Sequence, residues 1–166
     1  MAINQAVCNV FKQELLKGGH DFDGGATYYI ALYTSSANLG ATTTAYATNP
    51  GGGANTEVQN SSGNAYQGGG KALTGATVAG GSGVATAYAT FSNVSWTSAS
   101  FTANGALIYR QDAGGPTNDA VVVLAFGGDF TASNGTFTIQ FPTAGGGSEL
   151  IRLGSVSYTH LTLPTI

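Results

Sequence analysis

Two aspartates separated by one residue form the most metal-like pattern in this sequence. Asp21 and Asp23 precede Gly24 and Gly25. Calcium binds hard carboxylate oxygens held on a flexible turn, and this pattern offers both. No third acid follows at the spacing of an EF-hand loop, however, and aspartate beside glycine is also typical of an ordinary turn. We predict a turn that joins a helix to a strand, and no metal site.

Residue types that serve catalysis are scarce throughout the chain. It has 8 Asp and Glu, 5 Lys and Arg, 2 His and a single cysteine, Cys8. His20 is the one credible base, and no Cys, His or paired acid stands at motif spacing from it, so we predict an exposed loop histidine. A nucleophile, a base and an orienting group cannot be assembled from this set. We therefore predict a protein without enzymatic activity and without a cofactor.

Trp96 and Phe101 flank a short run of hydroxyl side chains, Thr97–Ser100. Aromatic rings beside hydroxyl groups are one way to stack and bind a sugar ring. The other interpretation is a strand corner whose aromatic side chains close the hydrophobic core. The first interpretation makes Trp96 and Phe101 glycan contacts of a carbohydrate-binding module, and the second makes them core residues.

The composition favours strands and excludes several classes of partner. Charged residues make up 8% of the chain, against about 25% in an average soluble protein, and 26 residues are glycine. Gly, Thr, Ser and Asn suit turns and strands better than long solvated helices. The net charge of −3 without a basic cluster argues against nucleic acid as a partner. No run of about 18 apolar residues is present, so we predict no membrane partner.

Residues 4–17 have the periodicity of one amphipathic helix. Asn4 can cap its start, and Lys17 followed by Gly18 suits its end. The apolar stripe of this helix must cover either the protein's own sheet or a neighbouring molecule, which makes its side chains candidate partner contacts. The stripe consists of Val7, Val10, Phe11 and Leu15.

The rest of the chain has the pattern of strands. Thr27–Thr34 is apolar on both faces, which indicates a central strand, and Val121–Leu124 has no polar side. No helix separates successive strands, so the sheets should be antiparallel. We predict a mainly β fold, an antiparallel, jelly-roll-like β-sandwich with one N-terminal α-helix, in a single domain over residues 1–154. Further strands are predicted at 72–78, 84–91, 106–110, 120–126, 136–141 and 150–153.

Ser35–Gly70 separates the first strand from the others and is rich in Ala, Thr, Asn and Gly. Only Thr56–Gln59 and Ala65–Gln67 have strand character within it. Loops of this length are usually functional or mobile. We predict a surface excursion that serves as an arm for contacting another subunit.

The final residues, 155–166, differ in character from the rest. Val156–Thr165 resembles the conceptual translation of a transposon-based sequencing adapter. We therefore expect these residues to be a non-native tail and exclude them from the fold prediction.

Long collinear segments spread over most of the chain carry a family resemblance. They are Ile3–Lys12, Tyr29–Gly40, Ser95–Tyr109, Val123–Pro142 and Leu150–Leu153. In these segments the chain resembles a family of small virion structural proteins of tailed bacteriophages.

The resemblance implies a particle component with no catalytic motif, and it leaves both head and tail locations open. It implies a virion location after assembly in the host cytoplasm. The implied partners are other virion proteins and further copies of the same chain. A carbohydrate-binding adhesion module stays as the alternative function, because it rests on different residues.

Overall fold

A computed structural model describes residues 2–59, 65–80, 86–111 and 118–154. The predicted non-native tail, residues 155–166, lies outside the described residues, as do the first two positions of the strand predicted at 84–91. The described elements in chain order are β1 Ala6–Val7, α1 Asn9–Leu16, β2 Thr27–Tyr33, β3 Lys71–Ala72, β4 Thr77–Ala79, β5 Thr86–Thr90, β6 Val94–Gln111, β7 Ala120–Ile139 and β8 Ile151–Gly154.

The strands form two antiparallel sheets, which confirms the predicted fold class. The larger sheet has the order β1-β7-β6-β2-β3, and the smaller one has the order β4-β5-β8. In the larger sheet Ile30 pairs with Ile108, which pairs in turn with Val122. A row of β-branched side chains therefore crosses three adjacent strands, and such side chains pack well on a pleated surface.

Aromatic side chains join the two sheets. The rings of Phe22 and Tyr28 stack with centroids 4.5 Å apart, and Phe91, next to β5, lies 5.7 Å from Tyr28. Phe141 extends this cluster, 6.1 Å from Phe91. Aromatic rings bury large areas, so this cluster accounts for much of the contact between the layers.

The helix is shorter than predicted, and its start is different. It covers Asn9–Leu16, with Cys8 as the N-terminal cap residue. The preceding Ala6 and Val7 instead pair with β7, because an extended backbone there completes the sheet edge. Asn4 donates its backbone N–H to Leu39 and does not cap the helix. The predicted end is confirmed, since Gly18 takes a φ of 76° just after the last turn.

The predicted strands at 106–110, 120–126 and 136–141 belong to one long hairpin. β6 has 18 residues and β7 has 20, and they pair from Val94 with Ile139 to Tyr109 with Ala120. Bulges interrupt the pairing, and Gly127 and Asn134 adopt φ values of 81° and 50° within β7. Glycine and asparagine often stand at strand ends, whereas here they allow one strand to bend and continue.

Thr56–Val58 of the excursion between β2 and β3 bond to the protein's own sheet, whereas the predicted contact with another subunit stays a prediction. Thr34 donates its backbone N–H to Thr56, and Val58 donates to Leu32. Glu57 forms an isolated antiparallel bridge with Tyr33. This part of the excursion continues the sheet beside β2, so the prediction of β2 as a central strand with two buried faces is confirmed.

Candidate interaction surface

Glu57 is the acidic residue most deeply buried in the described part of the chain, with 2% of its surface exposed. The hydroxyl groups of Tyr46 and Tyr66 donate to its two carboxylate oxygens, each at 2.7 Å. The backbone N–H of Gly69 donates to the same oxygen as Tyr66, also at 2.7 Å. Three short hydrogen bonds compensate the carboxylate for the water it loses on burial.

Two further tyrosines extend this cluster. Tyr109 donates its hydroxyl to the Gly69 carbonyl at 2.8 Å, and its ring stacks on Tyr46 with centroids 4.6 Å apart. Tyr33 donates to the carbonyl of Ala47 at 2.8 Å. Burial raises the pKa of Tyr33, Tyr46 and Tyr109 far above the ordinary value, and the nearby charge of Glu57 raises it further. These phenols stay protonated and fix the excursion to the sheet.

No local sequence pattern predicts this tyrosine cluster. Its members come from β2, the excursion and β6, so no spacing along the chain connects them. One signal was available, because Glu57 is the only charged residue between Ser35 and Gly70. A lone carboxylate in an uncharged segment needs several donors if it is buried.

The Asp21–Gly25 segment forms a turn, as predicted. Among the described residues, no group of three His, Cys, Asp or Glu side chains could hold a metal ion. The prediction of an exposed loop histidine is wrong, since His20 is half-buried with its ring 4.6 Å from that of Phe11. Its Nδ1 lies 3.2 Å from the hydroxyl of Tyr28. His20 therefore belongs to the aromatic cluster between the layers.

Trp96 and Phe101 are core residues. They are 4% and 8% exposed, and Tyr66 of the excursion packs over both, with ring centroids 6.3 and 5.9 Å away. Phe137 closes the other side, 5.2 Å from Phe101. A sugar needs a free ring face to stack on, so this burial agrees with the core interpretation and argues against a glycan contact at these two residues.

The predicted partner-contact stripe of the helix also packs on the protein itself. Phe11 is 1% exposed, and Val7, Val10 and Leu15 are partly buried against the same core. Val7 lies on β1 and not on the helix. Phe11 is therefore excluded as a partner contact, because its ring fills the space between α1 and the aromatic cluster.

The far half of the long hairpin offers a surface with different properties. We call Val94–Ala103 of β6 together with Phe130–Ile139 of β7 the outer hairpin. On the other side of β7, β1 pairs only with Val122 and Val123. Within the described residues, no strand pairs with the outer edge of β7 from Leu124 to Ile139. We call this stretch the free edge.

One face of the outer hairpin is covered with hydroxyl groups. Ser95 and Thr138 bond across the two strands at 2.8 Å, and Thr102 and Thr131 do so at 2.7 Å. Asn104 donates to Asp129 at 2.8 Å at the inner end of this row. These cross-strand pairs fix the register, because each polar side chain bonds to the one directly opposite.

The other face carries aromatic side chains along the free edge. Phe137 and Ile139 are partly buried while Thr136 and Thr138 are exposed, so successive side chains alternate between the two faces. Phe130 is 54% exposed. An open groove of about 470 Å³ runs beside these side chains. Its apolar lining includes Phe126, Phe130, Ala132, Phe137 and Ile139.

A second open groove, of about 630 Å³, lies where the N-terminal segment meets the excursion. Amide, hydroxyl and small side chains line it, among them Asn4, Asn38 and Thr43, and no aromatic or charged residue does. It therefore offers no platform on which a sugar ring could stack.

No helix in the described ranges is long and apolar enough to cross a bilayer. Searches against family models, curated proteins and solved structures found no match to this chain.

Proposed function

We propose that this protein is a non-enzymatic structural component of a tailed-phage particle and acts through protein–protein contacts among many copies. The sequence resemblance to small virion structural proteins motivates the proposal, and the outer hairpin supports it. Its free edge has backbone N–H and C=O groups that no strand of the described ranges pairs with, and an apolar groove runs beside it. An exposed edge beside an apolar groove is typical of an interaction surface.

The lack of charge on the outer hairpin is the observation that carries the proposal. From residue 130 to residue 148 the chain contains no ionisable side chain. Proteins that must stay monomeric protect their strand edges with lysine, other charges or proline. A subunit held at fixed positions in a shell has no such need, since association is its purpose.

The buried polar groups are consistent with a structural role. Tyr46, Tyr66 and Gly69 already bond to Glu57, which is closed off from solvent. Its carboxylate serves as an acceptor that holds the excursion in place. The carbohydrate-binding alternative has lost the residues on which it rested, because Trp96 and Phe101 lie in the core.

Two observations together test the proposal. The genes that flank this coding sequence should include capsid, portal or tail genes. Mass spectrometry of the purified particles should detect peptides from this chain at a copy number typical of a structural protein. Detection only in the soluble fraction, with flanking genes of another class, would overturn the proposal.

An antibody against the recombinant protein should label the particles in electron micrographs, and the pre-immune serum serves as the control.

A further inference from the structure

The free edge of β7 has one stretch that is ready to pair. Gly135–Ile139 lies between the bulge at Asn134, where φ is 50°, and Pro142, which has no N–H to donate. Within this stretch the side chains alternate cleanly between the two faces. Alternate backbone N–H and C=O groups point away from β6, and each such group needs a hydrogen-bond partner once it is buried.

The composition of this stretch favours a second copy of the same chain as that partner. Two identical strands that pair antiparallel about a two-fold axis bring the residue at the axis opposite its own counterpart, and residues next to the axis close to theirs. A charged residue near the axis would then face a like charge, which destabilises a cross-strand pair. The outer hairpin has no charged residue on either strand. A self-pairing of Gly135–Ile139 therefore places no two like charges opposite each other.

We infer that Gly135–Ile139 pairs with the same stretch of a second copy, antiparallel and with the two-fold axis at Phe137. This inference rests on the proposed function and names one of its contacts. It adds the strand of a neighbour to the larger sheet and covers the last five residues of the free edge in both copies. The register follows from length, because only an axis at Phe137 uses all five residues of the stretch.

This register gives complementary contacts on both faces. Thr136 of each copy lies opposite Thr138 of the other, which continues the row of cross-strand hydroxyl pairs begun by Ser95 and Thr138. On the other face the two Phe137 rings meet at the axis beside the apolar grooves. Ile139 lies opposite Gly135 of the other copy, and the missing side chain leaves it room.

A ladder of five residues is small compared with a stable dimer interface. We therefore expect reversible self-association of the free protein, strengthened where many copies are held together. The groove of about 470 Å³ adds apolar contact to the backbone hydrogen bonds.

Register-specific cross-linking tests the inference. Thr136→Cys and Thr138→Cys proteins, one of them carrying a mass tag, are oxidised separately and as a mixture. Residues directly opposite lie within disulfide reach, whereas diagonal neighbours are about 7 to 8 Å apart. We expect tagged–untagged dimers in the mixture to form at least tenfold faster than dimers of either variant alone. Equal rates, or no dimers, would overturn the inference. Native Cys8 is buried, and burial raises the pKa of its thiol to about 11, so it does not compete.

Sedimentation analysis with matched lysine variants gives an independent measurement. Thr138 and Thr97 are both exposed on the hydroxyl face, but only Thr138 lies on the free edge. We expect Thr138→Lys to weaken self-association at least tenfold and Thr97→Lys to leave it unchanged, with the same circular dichroism for both. Equal behaviour of the two variants, or a monomeric parent protein at the highest concentration, would contradict the pairing.

The two proposals can fail separately. Cross-linked dimers of a protein that is absent from particles would leave the pairing intact and remove the proposed function. A particle protein without cross-linking or self-association would keep the function and overturn this contact.

Discussion

At the scale of single residues, Glu57 determines how the excursion lies on the sheet. Its carboxylate accepts hydrogen bonds from two tyrosines and one backbone N–H, which stand at three separate positions along the excursion. Hydrogen bonds to an ionised group contribute more than neutral ones. The tyrosine cluster is therefore the point at which the long connection gains its stability.

We expect Glu57→Gln to lower the free energy of unfolding by about 2 to 3 kcal/mol, because the charge-assisted bonds become neutral and the amide NH₂ faces donors. Urea denaturation measures this change. Asp23→Asn is the matched control, since Asp23 is exposed, and it should change the free energy by less than about 0.5 kcal/mol. Equal effects of the two variants would show that the cluster contributes nothing specific.

The buried tyrosines make stability depend on alkaline pH. Burial raises the pKa of Tyr28 to about 12, and that of Tyr33, Tyr46, Tyr66 and Tyr109 still further. Unfolded tyrosine ionises near pH 10. The stabilisation is therefore complete below about pH 10 and declines above it, by up to about 1.4 kcal/mol per pH unit for each tyrosine.

Tyrosinate absorbance and circular dichroism, followed together from about pH 9 to 12, should show these tyrosines ionising only as the sheets unfold. The double variant Tyr46→Phe with Tyr66→Phe should give a shallower pH dependence, because two ionising groups are gone. Ionisation of all tyrosines near pH 10 with the sheet signal intact would contradict this account.

At the scale of elements, the strongest local patterns predicted the structure well. The alternation of Thr136–Phe141 and the apolar run Val121–Leu124 both identified parts of β7, because burial depends on the side chains themselves. The continuity of the hairpin was not predictable. Gly127 and Asn134 are compatible with either a strand end or a bulge, and pairing with β6 decides between them.

The helix start was mispredicted for a related reason. Ala6 and Val7 fit a helical stripe by spacing, and they fit a strand by propensity. The hydrogen bonds offered by the edge of β7 decide the outcome, and that edge is distant in sequence. Long-range pairing of this kind leaves no local signal.

We expect Val122→Asp to abolish soluble folding. Val122 is 4% exposed and pairs with both Val7 and Ile108, so the carboxylate would be buried without a partner. Thr131→Asp on the same strand is the control, because Thr131 is exposed, and it should yield a folded protein. Soluble yield and circular dichroism check both variants, and equal yields would mean that the centre of β7 is not core.

At the scale of the whole molecule, the fold has three layers. The smaller sheet and α1 pack through the aromatic cluster on one face of the larger sheet, and Tyr46 and Tyr66 of the excursion pack on the other. This explains why β2 is apolar on both faces although the sheet is antiparallel. Composition and strand spacing predicted the sandwich, whereas the covering excursion depends on hydrogen bonds that have no sequence pattern.

We expect a chain that ends at Gly154 to keep the fold and melting temperature of the full chain, because β8 ends there. A chain that ends at Ser148 loses β8, and with it the buried Ile151 and the ion pair between Glu149 and Arg152. It should be less stable by several kcal/mol, on the order of 3. Calorimetry of the full chain and both truncated chains tests this. A lower melting temperature for the chain that ends at Gly154 than for the full chain would assign a structural role to residues 155–166.

The uncharged stretch from residue 130 to residue 148 also has a consequence for the medium in which the protein works. Contacts between charged surfaces weaken as dissolved ions screen them, over a distance that shrinks from about 30 Å at 0.01 M to about 3 Å at 1 M ionic strength. A contact made of backbone hydrogen bonds, hydroxyl pairs and aromatic rings has no charge to screen. The stability of an assembly joined along this edge would therefore be the same at low and at high ionic strength.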